Sequence, residues 1–98
     1  MPWKRITEGE LSELLATAMD ELAQVERAKL ELIRATPRLV RCTRGSAEDC
    51  LYVLAQTRDR ALIFDDVEDE FGVATLHNGA AVESWRLYGT LKNALRKM

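Results

Sequence analysis

The stretch Leu51-Tyr52-Val53-Leu54-Ala55 constrains this chain more than any other. Five consecutive apolar positions of strand-forming type fit a central strand of a sheet, buried on both faces. Turn chemistry on either side supplies its neighbours. A polar loop over 44–49, with Gly45 and Ser46, separates it from a strand over 38–43. The turn Thr57-Arg58-Asp59-Arg60 returns the chain as a strand over 61–64, and an acidic run then leads into another over 71–76. His77-Asn78-Gly79-Ala80 carries Asn-Gly, the strongest short hairpin signal, ahead of a last strand over 81–85. The pattern predicts an antiparallel meander of four to five strands.

The N-terminal third has a different period. Thr7-Glu8-Gly9-Glu10 fits a capping box, with Ile6 and Leu11 at the spacing of a hydrophobic staple. Leu11, Leu14, Leu15, Ala18, Leu22, Val25, Leu32 and Ile33 then recur mostly at three- and four-residue steps. Thr36-Pro37 should stop the helix, because the residue before a proline avoids the helical region. The expectation is one long helix of about 27 residues, a rod of roughly 40 Å, either kinked near its middle or projecting at one end. Leu87, Leu91, Ala94 and Leu95 predict a short C-terminal helix ending in Arg96-Lys97. The fold class is α+β, a single domain over residues 1–98, with the long helix packed on one face of the sheet.

Composition narrows the setting. Of 98 residues, 47% are hydrophobic and 31% charged, the balance of a chain that buries a core. The longest unbroken apolar run, 50–55, is far short of the roughly 20 residues of a membrane span. With no apolar block behind the basic pair Lys4-Arg5, no secretory signal is expected, and two cysteines are too few for a stapled secreted fold. A cytoplasmic protein with Cys42 and Cys50 as free thiols is expected, although their spacing around a hairpin loop would allow a bridge.

Charge is segregated. Asp65, Asp66, Glu68, Asp69 and Glu70 put five carboxylates in six positions, closed by Phe64 and Phe71. Taking that −5 from the chain's −2 leaves +3 for the other 92 residues. The run fails as a calcium loop: counted from Asp65, the sixth position is Glu70 where glycine is needed, and the twelfth is Leu76 where glutamate is needed. Paired catalytic acids require two different environments, whereas acids in a hydrophilic turn stay solvated. His77 opens a turn and has no neighbouring nucleophile motif, and no CxxC, HxxxH or glycine-rich phosphate loop occurs. A non-enzymatic protein with no metal and no cofactor is expected. Arg34, Arg38, Arg41 and Arg44, with Trp3 and Trp85, raise nucleic-acid binding, but the acidic pI near 5.4 argues against it. Two readings of the acidic run stand level on composition: a solvated turn, or a face that steers a basic protein.

The line "LYVLAQTRDRALIFDDVEDEFGVATLHNGAAVESW" resembles a loosely characterised group of small bacterial proteins in which a strand ends in Asp-Asp-Val-Glu before a Phe-Gly continuation and a glycine hairpin. Trp3, Ile6, Thr7, Glu10, Leu11, Pro37, Arg38, Arg41 and Cys42 extend the similarity. The group resembles immunity partners of polymorphic or contact-dependent toxins. This chain departs from it in carrying Asp69-Glu70 where a glutamate and a glycine are usual. The resemblance implies an immunity protein that neutralises a cognate toxin by occlusion, and it carries over onto Asp65, Asp66, Val67, Glu68 and Phe71; the acidic run as a whole makes Asp65, Asp66, Glu68, Asp69 and Glu70 the expected partner-binding set. Of these, Asp66, Glu68, Asp69 and Glu70 are the expected contacts, with Val67 and Phe71 anchoring the loop. Trp3 and Trp85 are expected to pack in the core. The alternative is a self-associating or adaptor domain, such as a homodimer, that uses the leucine-rich face of the long helix.

Overall fold

The computed structural model describes residues 4–44, 47–78 and 81–98, with the side chains of 43, 44, 47, 48 and 81 outside the description. The elements run α1 (Glu8–Met19), α2 (Gln24–Ile33), β1 (Arg34–Arg44), β2 (Ala47–Gln56), β3 (Arg60–Asp65), β4 (Glu70–His77), β5 (Ala81–Gly89) and α3 (Leu91–Arg96). The strands form one sheet in the order β1-β2-β3-β4-β5, antiparallel throughout, as the meander pattern requires.

The single long helix does not form; a corner at Asp20–Ala23 divides it in two. Local chemistry makes the corner. The Arg27 guanidinium donates to the Met19 carbonyl at 2.9 Å, capping the end of α1. Glu26 Oε1 accepts from the Ala23 amide at 2.9 Å. Alanine has no side-chain acceptor, so this is the return arm of a capping box without its partner. Leu22, at the corner, is buried. A straight rod of about 40 Å would equal the molecule's longest dimension of 39 Å and carry much of its apolar stripe past the sheet. Folding back lets Leu11, Leu15, Leu22 and Leu30 all reach one core, and leaves Val25 and Leu32 in solvent at 81% and 87% exposure.

Two boundaries also move. The second helix ends at Ile33, before the Thr36-Pro37 stop, and Pro37 lies inside β1 where the register to β2 shifts between Arg34 and Arg38. An edge strand with a bulge tolerates a residue that cannot donate. Leu87 belongs to β5 rather than to the terminal helix, which starts only after Gly89 turns the chain at φ +80° and Thr90 caps α3 by accepting from the Asn93 amide at 3.2 Å.

The sheet is covered on one face by the helices, where Phe64 and Phe71 meet with ring centroids 5.0 Å apart among Leu11, Leu15, Leu91 and Leu95. Such a pair adds about 0.5–1.5 kcal/mol beyond its buried area. A second core lies on the opposite face, from Leu51, Val53, Ile63 and Leu76 with Trp85 and Leu87 against them. Among the described residues no further layer covers it; the sheet curls so that its edge strands β1 and β5 approach each other. This double burial explains why residues 51–55 and 61–64 read as unbroken apolar runs. Trp85 packs in this second core, half-buried; Trp3 falls outside the described residues. Register sets Cys42 opposite Asp49 and Cys50 opposite Arg41, so the two cysteines stand on opposite faces of the sheet and no bridge joins them. No described helix is long and apolar enough to cross a membrane.

Candidate partner-binding groove

The acidic run forms the β3–β4 hairpin loop, between the paired residues Asp65 and Glu70. Its five carboxylates do different jobs. Asp65, fully buried at the end of β3, turns its Oδ1 back onto the loop, accepting from the Val67 amide at 2.9 Å and the Glu68 amide at 3.3 Å. That is an Asx-turn, in which a side chain does the work of a backbone carbonyl. Asp66 reaches outward from the loop to the N-terminal segment: Oδ2 accepts from the Ile6 amide at 3.1 Å, and Oδ1 lies 3.3 Å from Arg5 Nη1. Arg5 also meets Asp49 at 3.3 Å, bridging β2 and the loop. The Asp66 side chain is 2% exposed.

Two members of the expected partner-binding set, one of them the expected contact Asp66, are therefore structural. Asp65 and Asp66 face inward and hold the loop, while Glu68 and Asp69 are exposed and Glu70 is half-buried. Asp69 sits at φ +58°, a left-handed position that aspartate tolerates better than most residues, which completes the four-residue loop. The anchoring roles also change hands. Phe71 is core, as the sequence implies, but Val67 stands at the loop tip, 38% exposed, and the anchoring comes from Asp65 and Asp66 instead.

Beside this loop lies a groove of about 600 Å³ between α1, the hairpin and the β5–α3 junction. Its floor is apolar, with Ile6, Leu14, Ala18, Phe64, Phe71 and Leu91. Its charged rim is entirely acidic: Glu10, Glu13 and Glu21 from α1 and the following turn, and Asp69 from the loop. The Thr7 amide donates to Glu10 Oε1 at 3.1 Å, and this contact with Thr7 holds the Glu10 carboxyl below its ordinary range. The rim keeps that charge further into acid than an unassisted glutamate would.

No family model, curated protein or solved structure matches this chain. The groove has to be read on its own chemistry.

That chemistry has two components. Apolar floor area offers desolvation energy at about 25 cal/mol per Å² buried. The rim offers directional acceptors to Arg and Lys, spread along one side rather than concentrated at a point. Glu13 and Glu21 join the site outside the expected set, and Glu10 serves the rim as well as the cap. The signal was available: positions 10, 13, 17 and 21 recur at helical steps beside Leu14 and Ala18, giving one polar edge. Nothing in the sequence shows that this edge meets residue 69.

Other candidates disperse. Among the described residues no three His, Cys, Asp or Glu side chains converge to hold a metal ion. His77 is exposed at the end of β4, Cys42 is buried in the second core and Cys50 is half-buried. The arginines at 34, 38, 41 and 44 lie along the β1 edge, where Arg34 pairs with Glu31 at 3.3 Å and Arg38 donates to Gln56 at 2.5 Å.

Proposed function

We propose that this chain is a non-enzymatic protein-binding domain whose groove takes a basic, amphipathic segment of a partner protein. This is the mode of action of an immunity protein that neutralises a cognate bacterial toxin by occlusion. One observation carries the reading: an apolar-floored groove whose charged lining, among the described residues, is four carboxylates and no cation. Long-range attraction between that rim and a basic surface speeds encounter, while apolar anchors seated on the floor slow dissociation. Glu68, exposed at the loop tip, extends the negative surface past the groove.

The test is an affinity capture with the tagged protein beside a triple variant, Glu13→Gln, Glu21→Gln and Asp69→Asn. The expected result is a single basic protein held by the unaltered chain, released as salt is raised, and not held by the variant. Capture that is indifferent to both the substitutions and the salt overturns the reading. Co-expression then asks for neutralisation: the captured protein should arrest growth alone and not when paired with this chain.

A second reading has its own observation. Val25 and Leu32, seven residues apart on one side of α2, are the two most exposed large apolar side chains among the described residues. Self-association through α2 would bury them. Such a dimer is insensitive to salt and is lost on Leu32→Glu, which sedimentation velocity resolves directly.

A further inference from the structure

A second cleft, of about 440 Å³, opens on the helix-covered face of the sheet where the helices stop short. Register builds it. Arg60, Thr75 and Ser84 stand in one row across β3, β4 and β5, through the pairs Arg60–Thr75 and Thr75–Ser84. Arg86 lies two residues along β5 from Ser84, on the same face, and pairs with Val73. Lys97, at the end of α3, closes the cleft: its carbonyl accepts from Arg60 Nη1 at 2.9 Å, and its ammonium lies 5.8 Å from the centre of the Tyr88 ring.

The result is three cations around two hydroxyls. Arg60, Arg86 and Lys97 line the cleft with Thr75 and Ser84, and among the described residues no carboxylate lines it. Among the described residues none of the three cations forms an ion pair. In a chain with 16 acidic residues against 14 basic ones, a carboxylate-free cationic cleft is a departure from the average surface. Like charges held close repel, and a bound anion relieves that repulsion. The cleft lies at the opposite end of α3 from the acidic groove, which Thr90 and Leu91 line at the helix start.

We propose that this cleft is a binding site for a small phosphorylated molecule. Guanidinium forks match phosphoryl oxygens in pairs, an ammonium adds a point charge, and the Thr and Ser hydroxyls supply short donors beneath them. The volume exceeds that of a bare phosphate and falls in the range of small-ligand sites, roughly 300–1,000 Å³. A sugar phosphate and a mononucleotide share the recognised group and differ in what fills the remainder. The site is independent of the partner groove, because the two have no lining residue in common.

Amide NMR titration tests it, with sodium phosphate, ribose 5-phosphate and adenosine monophosphate as probes, each against sodium chloride at equal ionic strength. Saturable shifts centred on Arg60, Thr75, Ser84 and Arg86 are expected. Affinity should fall by at least about tenfold on Arg86→Ala, which removes a charged hydrogen-bonding group from an exposed strand position. Arg38→Ala, at the far edge of the sheet, should leave it unchanged. Tighter binding of either organic phosphate than of inorganic phosphate identifies the part that fills the cleft. Shifts that never saturate, that spread equally over the β1 arginines, or that survive Arg86→Ala overturn the proposal. So does binding of a single-stranded oligonucleotide without saturable binding of any of the three probes, which would make the patch a nucleic-acid surface.

Discussion

Asp66 and Ile6 are joined across 60 residues of sequence, the Ile6 amide donating to Asp66 Oδ2 at 3.1 Å. The Ile6 carbonyl is held as well, accepting from the buried Tyr52 hydroxyl at 3.0 Å. Both backbone groups of one residue, immediately before the α1 cap, are thus fixed by β2 and the acidic loop. The clamp sets where α1 begins, and hence where Glu10 and Glu13 stand relative to Asp69. The groove is assembled through this contact.

Asp66→Ala should therefore destabilise the fold by about 1.5–3 kcal/mol, the cost of losing a hydrogen bond to a charged group together with its Arg5 partner. Glu68→Gln, two residues away and exposed, should stay within about 0.5 kcal/mol. Urea titration of the two variants side by side checks the division of the acidic run into holding and exposed members. Equal effects would contradict it.

The corner at Asp20–Ala23 makes an equally direct prediction. Leu30 is 1% exposed and Leu32 is 87% exposed, although a continuous amphipathic stripe would assign Leu32 to the core. Leu30→Ala should cost about 2–5 kcal/mol. Leu32→Ala should cost under about 0.5 kcal/mol. Thermal unfolding of both variants measures the contrast.

Gly72 lies where β4 and β5 change register, and a Cβ there would press against the backbone carbonyl of Arg86. Backbone on the opposite strand cannot swing away as a side chain tip can. Gly72→Ala should destabilise by about 1–3 kcal/mol, the range for overpacking in a closed site. Chemical denaturation provides the value, and amide shifts confined to 71–73 and 86–88 would locate the strain.

Stability should fall at both ends of the pH scale, for separate reasons. Glu26 is held below its ordinary range first by the Ala23 amide, then by Lys92 and Arg96 of α3, at 3.8 and 3.4 Å. Glu10 is held below by Thr7. A lowered carboxyl stabilises the fold above its unfolded pKa, and that contribution is lost as pH falls through the folded value. Tyr52 behaves in the opposite sense: burial, then the charge of Asp66, push its hydroxyl up. Its contribution is complete below about pH 10 and is lost as pH rises through the folded value. Glu26→Gln should flatten the acid limb of a stability–pH curve and Tyr52→Phe the alkaline limb, each leaving the other unchanged.

Much of this architecture was legible in the residues alone. The apolar run at 51–55, the turn at 57–60 and Asn78 before the last strand determined an antiparallel meander, because strand propensity and turn chemistry act over a few neighbours. The capping box at Thr7 and Glu10 formed as its spacing requires, both arms at 3.1 Å. Local interactions suffice for such features. Three things were decided only by tertiary structure. The helix broke at Asp20–Ala23 because a rod could not bring Leu11 and Leu30 to the same core, a condition invisible to periodicity. Asp66 turned inward because Ile6 and Arg5, 60 and 61 residues away, offered donors there. The groove joined an acidic helix edge to Asp69 because the helix packs beside the hairpin. A carboxylate's role follows from the donors and the solvent around it, and the fold supplies both.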